Sequence, residues 1–189
     1  MSFHNQTILP AVRKMRDFET LLASSYTYIV LLDSHIGQLK AIVKEGKRAG
    51  KEILLHADLV QGLKNDEHGA EFLCQEVKPA GLISTRSNVL SVAKRRGIIA
   101  VQRLFMLDSM ALEKNLSIIK HTQPDCVEIL PGIIPQVFEE LREEIDVPIF
   151  AGGFIRSVDD VELALKGGAT AVTTSKSELW KHYDAKKRI

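Results

Sequence analysis

The chain has 189 residues, a formal net charge of +1 and 45% hydrophobic residues. It is long enough to bury a core without disulfide or metal staples, and its 26% charged residues exclude a disordered chain. The near-zero net charge excludes indiscriminate binding to nucleic acid or anionic lipid, and apolar runs such as YIVLL at 28–32 are too short to span a bilayer.

The opening MSFHNQT lacks a basic segment followed by an apolar stretch, so no secretory leader is expected. No Pro/Gly/Ser linker follows, so one domain over 1–189 is expected. Strands are predicted at 7–11, 28–32, 52–57, 81–84, 98–102, 126–130, 148–151 and 169–173. These runs are apolar throughout, as strands buried on both faces of a parallel sheet are. The stretches between them have helical spacing. In 37–49, Leu39, Ile42 and Val43 share one face; in 108–120, Met110, Leu112, Leu116 and Ile119 do the same. Gly50, Gly97 and Gly167-Gly168 stand where helices should stop before the next strand. Ser157 with Asp160 reads as a helix N-cap with a carboxylate in the first turn. The loops 58–67 and 105–108 read as those best able to move, the first above all because of Gly62 and the polar run Lys64-Asn65-Asp66-Glu67. Cys74 and Cys126 lack metal-ligand spacing and read as buried thiols of a cytoplasmic protein.

Eight strand–helix units average about 24 residues each, which suits a compact α/β protein, a (β/α)8 TIM-like barrel with short loops. An open doubly wound sheet is the runner-up. In such a barrel the site lies where the strands end. The residues there are Asp33 after the second strand, His56 and Asp58 at the third, Ser84, Thr85 and Arg86 after the fourth, and Gln102 and Arg103 at the end of the fifth. Glu128 lies within the sixth strand, Gly152 and Gly153 close the seventh, and Thr173, Thr174 and Ser175 the eighth, with Lys176 just past it. The segments AGGFIRS (151–157) and GGATAVTTS (167–175) carry the strongest signal. Glycines admit an anion close to the backbone, and a helix starting after Thr174 adds its N–H groups and dipole. Asp33, His56, Asp58 and Glu128 include acids and bases, yet no lysine ends an inner strand for Schiff-base chemistry. No P-loop, dinucleotide fingerprint, nucleophile elbow or metal-ligand cluster is present.

Charge is segregated. Lys40, Lys44, Lys47, Arg48 and Lys51 crowd the second helix, Lys94, Arg95 and Arg96 end the fourth, and Lys186, Lys187 and Arg188 load the C-terminus. A solvated face explains such runs, and so does a basic track for an RNA backbone.

The blocks ILPAVRKMRDFE, YIVLLDSHIGQL, ILLHADLVQGL, GLISTRSNVLSVAKRRGIIAVQRLFMLDS, VEILPGIIP and PIFAGGFIRSVDDVELALKGGATAVTTSKSELW recur through nearly the whole chain. In order and content they resemble the glycerol-3-phosphate-responsive antiterminator family, bacterial regulators of glycerol-uptake operons. The resemblance implies a barrel that binds glycerol 3-phosphate as effector, with no cofactor and no catalysis, and that acts on leader mRNA to prevent premature termination. RNA polymerase is a further candidate partner. On this reading Gly152, Gly153, Thr174, Ser175, Lys176 and Arg103 hold the phosphate, and Asp33, His56 and Glu128 meet the glycerol hydroxyls. Lys40, Lys44, Lys47, Arg48, Arg95, Arg96, Lys186, Lys187 and Arg188 are the candidates for RNA contact. The alternative is an isomerase or lyase on a small phosphorylated substrate, using Asp33 and His56 as acid and base.

Overall fold

The computed structural model describes Phe3 and residues 6–187. In chain order its strands are β1 (Ile8–Val12), β2 (Tyr28–Leu31), β3 (Ser34–His35), β4 (Glu52–His56), β5 (Val60–Gln61), β6 (Gly81–Ser84), β7 (Ile99–Phe105), β8 (Cys126–Leu130), β9 (Ile149–Gly152) and β10 (Ala171–Thr174). Its helices are α1 (Met15–Leu22), α2 (Ile36–Arg48), α3 (Glu67–Phe72), α4 (Ser87–Arg95), α5 (Ser109–Thr122), α6 (Pro135–Glu144), α7 (Val158–Lys166) and α8 (Ser177–Lys187). Eight of the strands close into a parallel barrel in the order β1-β10-β9-β8-β7-β6-β4-β2. The expected (β/α)8 barrel is therefore observed.

Each barrel strand is apolar throughout because both of its faces are covered. Leu9, Val30, Leu54, Ile83, Val101, Cys126, Phe150 and Ala171 belong to one buried cluster, inside the barrel. Their alternates, among them Ile8, Ile29, Leu55, Leu82, Ala100, Val127, Ile149 and Val172, belong to a second cluster under the helices. This is the two-residue period of a strand read on both sides. Phe3 plugs the end where the strands begin, with ring centroids 4.9 Å from Tyr28 and 5.0 Å from Phe150. Both cysteines are buried and unbridged. No helix among the described residues is long and apolar enough to cross a membrane.

Local sequence signals set the element ends. Ser157 accepts a hydrogen bond from the Asp160 N–H, and the Asp160 carboxylate accepts one from the Ser157 N–H, which starts α7 with a full capping box. Gly50, Gly97 and Gly168 have φ of +71°, +70° and +104°, values that favour glycine after a helix. Two features depart from expectation. The fifth barrel strand, β7, runs on to Phe105, because β8 continues beside it and pairs Phe105 with Leu130. The segment after β4 is not an open loop. Residues Ala57–Leu59 form a 3-10 turn, and β5 pairs in parallel with β3 as a two-stranded flap beside the barrel mouth.

Candidate functional site

Strand alternation carries the interior face up to the mouth, where polar residues replace apolar ones. Above Leu54, Val101, Cys126, Phe150 and Ala171 come His56, Arg103, Glu128, Gly152 and Thr173. Glu128 is 1% exposed. Its Oε2 accepts a hydrogen bond from Arg103 Nε at 2.7 Å, and its Oε1 accepts one from Thr173 Oγ1 at 2.5 Å. A carboxylate buried this deeply needs both partners, because an unpaired charge there costs several kcal/mol, ~3–5. Gly152 explains how they fit. A Cβ at that position would lie 2.6 Å from Thr173 Oγ1 and 2.9 Å from Glu128 Oε1.

His56 is 2% exposed, and neither ring nitrogen has a hydrogen-bond partner among the described residues. Burial, and next the neighbouring Arg103 guanidinium, push its pKa down to about 4, so the ring is neutral at pH 7. A neutral imidazole can donate from one nitrogen and accept at the other.

Beside this cluster lies a cavity of about 170 Å³. Its walls include Arg103, Glu128 and Thr173, the turn Gly153–Phe154–Ile155 after β9, and Thr174 and Ser175 after β10. Gly153 and Phe154 take φ of +78° and +60°, and this tight turn brings backbone to the wall. Thr174 ties the two loops together. Its hydroxyl donates to the Ile155 carbonyl at 3.3 Å and accepts from the Lys176 N–H at 3.2 Å, while its carbonyl accepts from Trp180 Nε1 at 2.8 Å. α8 begins at Ser177, immediately beyond this wall, so the helix start expected after Thr174 is that of α8 itself.

The sequence-expected residues are therefore placed unequally. Gly153, Thr174, Ser175, Arg103 and Glu128 line the cavity. Gly152 stands behind the wall and makes room for Glu128, and Lys176 is exposed outside the lining. Asp33 is also outside the lining, at the rim, paired with Arg13 at 2.8 Å. Arg13 lines the cavity, and the sequence reading missed it. Its signal was available, because Arg13 closes the first apolar run as Asp33 closes the second.

Asp58 has a structural role. It accepts a hydrogen bond from the Ser84 hydroxyl and, at 2.8 Å each, from the Thr85 N–H, the Thr85 hydroxyl and Asn65 Nδ2. Burial alone would raise its pKa, but these donors together hold it below the ordinary carboxylate value. They also pin the start of the segment that sequence alone suggested would move.

The basic candidates split in two. Lys40, Lys44, Lys47 and Arg48 on α2 line a surface groove together with Lys78. Lys40 pairs with Glu76 at 2.6 Å and Lys47 Nζ donates to the Lys78 carbonyl at 2.7 Å, while Lys44 and Arg48 are exposed with no ion pair among the described residues. Arg95 and Arg96 are drawn to Glu71, at 3.7 and 2.6 Å. Lys51 is buried, with Nζ donating to the Ser24 and Tyr26 carbonyls. Lys186 and Lys187 close α8, and Arg188 lies outside the described residues.

Comparison with known proteins agrees with this geometry over almost the whole chain. The glycerol uptake operon antiterminator regulatory protein of Listeria monocytogenes has a crystal structure that is 46% identical, covering 96% of this chain and 98% of that one, with a TM-score of 0.92. A glycerol uptake operon antiterminator-related protein of Thermotoga maritima is 31% identical, covering 93% and 98%, with a TM-score of 0.82. The uncharacterized protein YgcP of Escherichia coli (strain K12) is 32% identical over 92% of this chain and 91% of its own length. The sequence model of the glycerol-3-phosphate responsive antiterminators matches residues 8–180, and the chain belongs to that family.

Proposed function

We propose that this protein is a non-enzymatic sensor of glycerol 3-phosphate that, once liganded, acts on leader mRNA to promote antitermination of glycerol-uptake operons. The observation that carries the reading is the mouth cavity, in which a backbone wall of Gly153 and Ser175 faces a polar cluster of Arg103, Glu128 and Thr173. Its volume of about 170 Å³ suits a ligand of few atoms, well below the ~300–1,000 Å³ of drug-sized pockets. The ligand's phosphate lies against the two turns, at the position where barrels often hold phosphate. Its hydroxyls meet the remaining lone pairs of Glu128, whereas His56, expected from sequence to meet them too, is buried and outside the cavity lining.

The enzyme alternative finds less support. Asp33, the expected partner of His56, is held at the rim by Arg13, and both Glu128 oxygens are engaged. No lysine lines the cavity among the described residues.

The α2 groove is the basic surface best suited to an RNA backbone, since Lys44 and Arg48 there have no ion pair among the described residues, while Arg95 and Arg96 share the Glu71 carboxylate. The test is leader-RNA binding across a range of salt, with and without glycerol 3-phosphate. Ligand is expected to tighten binding about tenfold or more, the equivalent of the 1–3 kcal/mol typical of linked sites. Replacing Lys44 and Arg48 with Gln is expected to lower the salt slope by about two. Equal affinity with and without ligand would overturn the sensor reading.

A further inference from the structure

Building on that reading, we infer that Arg13 is the principal phosphate cation of the mouth cavity and that Asp33 is its built-in competitor, displaced from the guanidinium when the ligand's phosphate binds. Two cationic side chains line the cavity among the described residues, Arg103 and Arg13. Arg103 is committed. It is 14% exposed, and its Nε donates to the buried Glu128, which Thr173 also engages. Its charge is already matched by Glu128, and moving it toward an anion would strand that carboxylate inside the barrel.

Arg13 is held differently. Its side chain is 60% exposed and its ion pair is with Asp33, itself 37% exposed. A pair so open to water is weak, because solvent screens it and two mobile side chains must be ordered to form it. A phosphate dianion brings more charge and several acceptor oxygens, which the planar guanidinium fork can engage two at a time.

The barrel order places Arg13 between its two partners. β1 pairs with β10 on one side, with Pro10 opposite Thr174, and Arg13, just beyond β1, lines the same cavity as Thr174 and Ser175. β1 pairs with β2 on the other side, with Val12 opposite Leu31, and beyond that pair Arg13 meets Asp33 at 2.8 Å. Arg13 can thus turn from one neighbour to the other by side-chain rotation alone. The exchange sets a threshold: a ligand must out-compete a carboxylate, which favours doubly charged phosphate esters over weaker anions and over neutral glycerol. It also gives Asp33 a role different from the hydroxyl contact expected from sequence.

The experiment is calorimetric titration of glycerol 3-phosphate into the wild-type protein and into Arg13→Gln, Arg13→Lys, Asp33→Asn and the Arg13→Gln/Asp33→Asn double variant. Arg13 is largely exposed, Asp33 is half-buried, and their pair is weak, so thermal unfolding midpoints should stay close to wild type. Arg13→Gln should weaken binding about tenfold to a hundredfold, the range for hydrogen bonds to a charged group, and Arg13→Lys should recover part of it. Asp33→Asn should tighten binding about two- to fivefold, the worth of an exposed pair. In the Arg13→Gln background Asp33→Asn should change nothing. Wild-type affinity in Arg13→Gln, or weaker binding in Asp33→Asn, would overturn this inference while leaving the sensor reading intact. Absence of any binding to wild type would overturn both.

Discussion

His56 couples stability to pH through a simple asymmetry. Folded, it stays neutral down to about pH 4; unfolded, it takes up a proton near its ordinary value of 6.5. Between those values the unfolded chain binds more protons than the native one, so stability falls as pH falls. The contribution is fully present above pH 6.5, and roughly 3 kcal/mol of it is lost by pH 4. Urea unfolding at pH 7 and pH 4.5 should therefore show a smaller loss for His56→Gln than for wild type. Parallel losses in the two proteins would contradict this account of the buried ring. Glu128 makes a contrasting case on the same face: its charge is kept inside the barrel because Arg103 and Thr173 satisfy both oxygens.

At the scale of the element, β9 ends where backbone and side-chain packing conflict, and glycine resolves it. Gly152→Ala would press a methyl group against Thr173 Oγ1 and Glu128 Oε1. It should destabilise the fold by about 1–3 kcal/mol, measured by denaturant midpoint, because a packed core relaxes poorly around added volume. Wild-type stability in that variant would mean that the Glu128 cluster is looser than its geometry implies. Sequence made the glycine visible but not its reason, which depends on Glu128 and Thr173 arriving from other strands. The same limit applies elsewhere. The barrel strands and the Ser157–Asp160 cap are local patterns, so they were legible. β3 and β5 are two residues each, too short to carry a period, and their pairing joins segments 26 residues apart in the chain, as Ser34–Val60 shows. Asp58 looked like part of a mobile loop because its anchors, Ser84 and Thr85, lie beyond α3. Of the site, Arg103 and Glu128 were legible as strand-end residues. Arg13 was not singled out, because it sits in a basic, polar stretch leading into an exposed helix start.

Across the whole molecule, the barrel separates two kinds of surface. Every barrel strand points its C-terminal end at the mouth, where the cavity lies, and the helices that follow the barrel strands return their own C-terminal ends to the opposite side. That side collects Lys47 and Arg48 of α2, Lys94 and Arg95 of α4, Lys120 and His121 of α5, Arg142 of α6 and Lys166 of α7. Part of the charge segregation is therefore complementation of helix dipoles rather than a ligand surface. The α2 groove stands out from this background because Lys40, Lys44 and Lys78 add to it beyond the last turn of the helix. On the proposed reading the effector binds at one end of the barrel and basic charge lies along the flank, so effector binding must favour one arrangement of the flank over another. The measurement that tests the central claim most directly is calorimetric titration of glycerol 3-phosphate, with glycerol and inorganic phosphate as controls. Saturable binding at one site per chain that needs both halves of the ligand is the result expected. Binding of inorganic phosphate with equal affinity, or no binding of glycerol 3-phosphate, would contradict it.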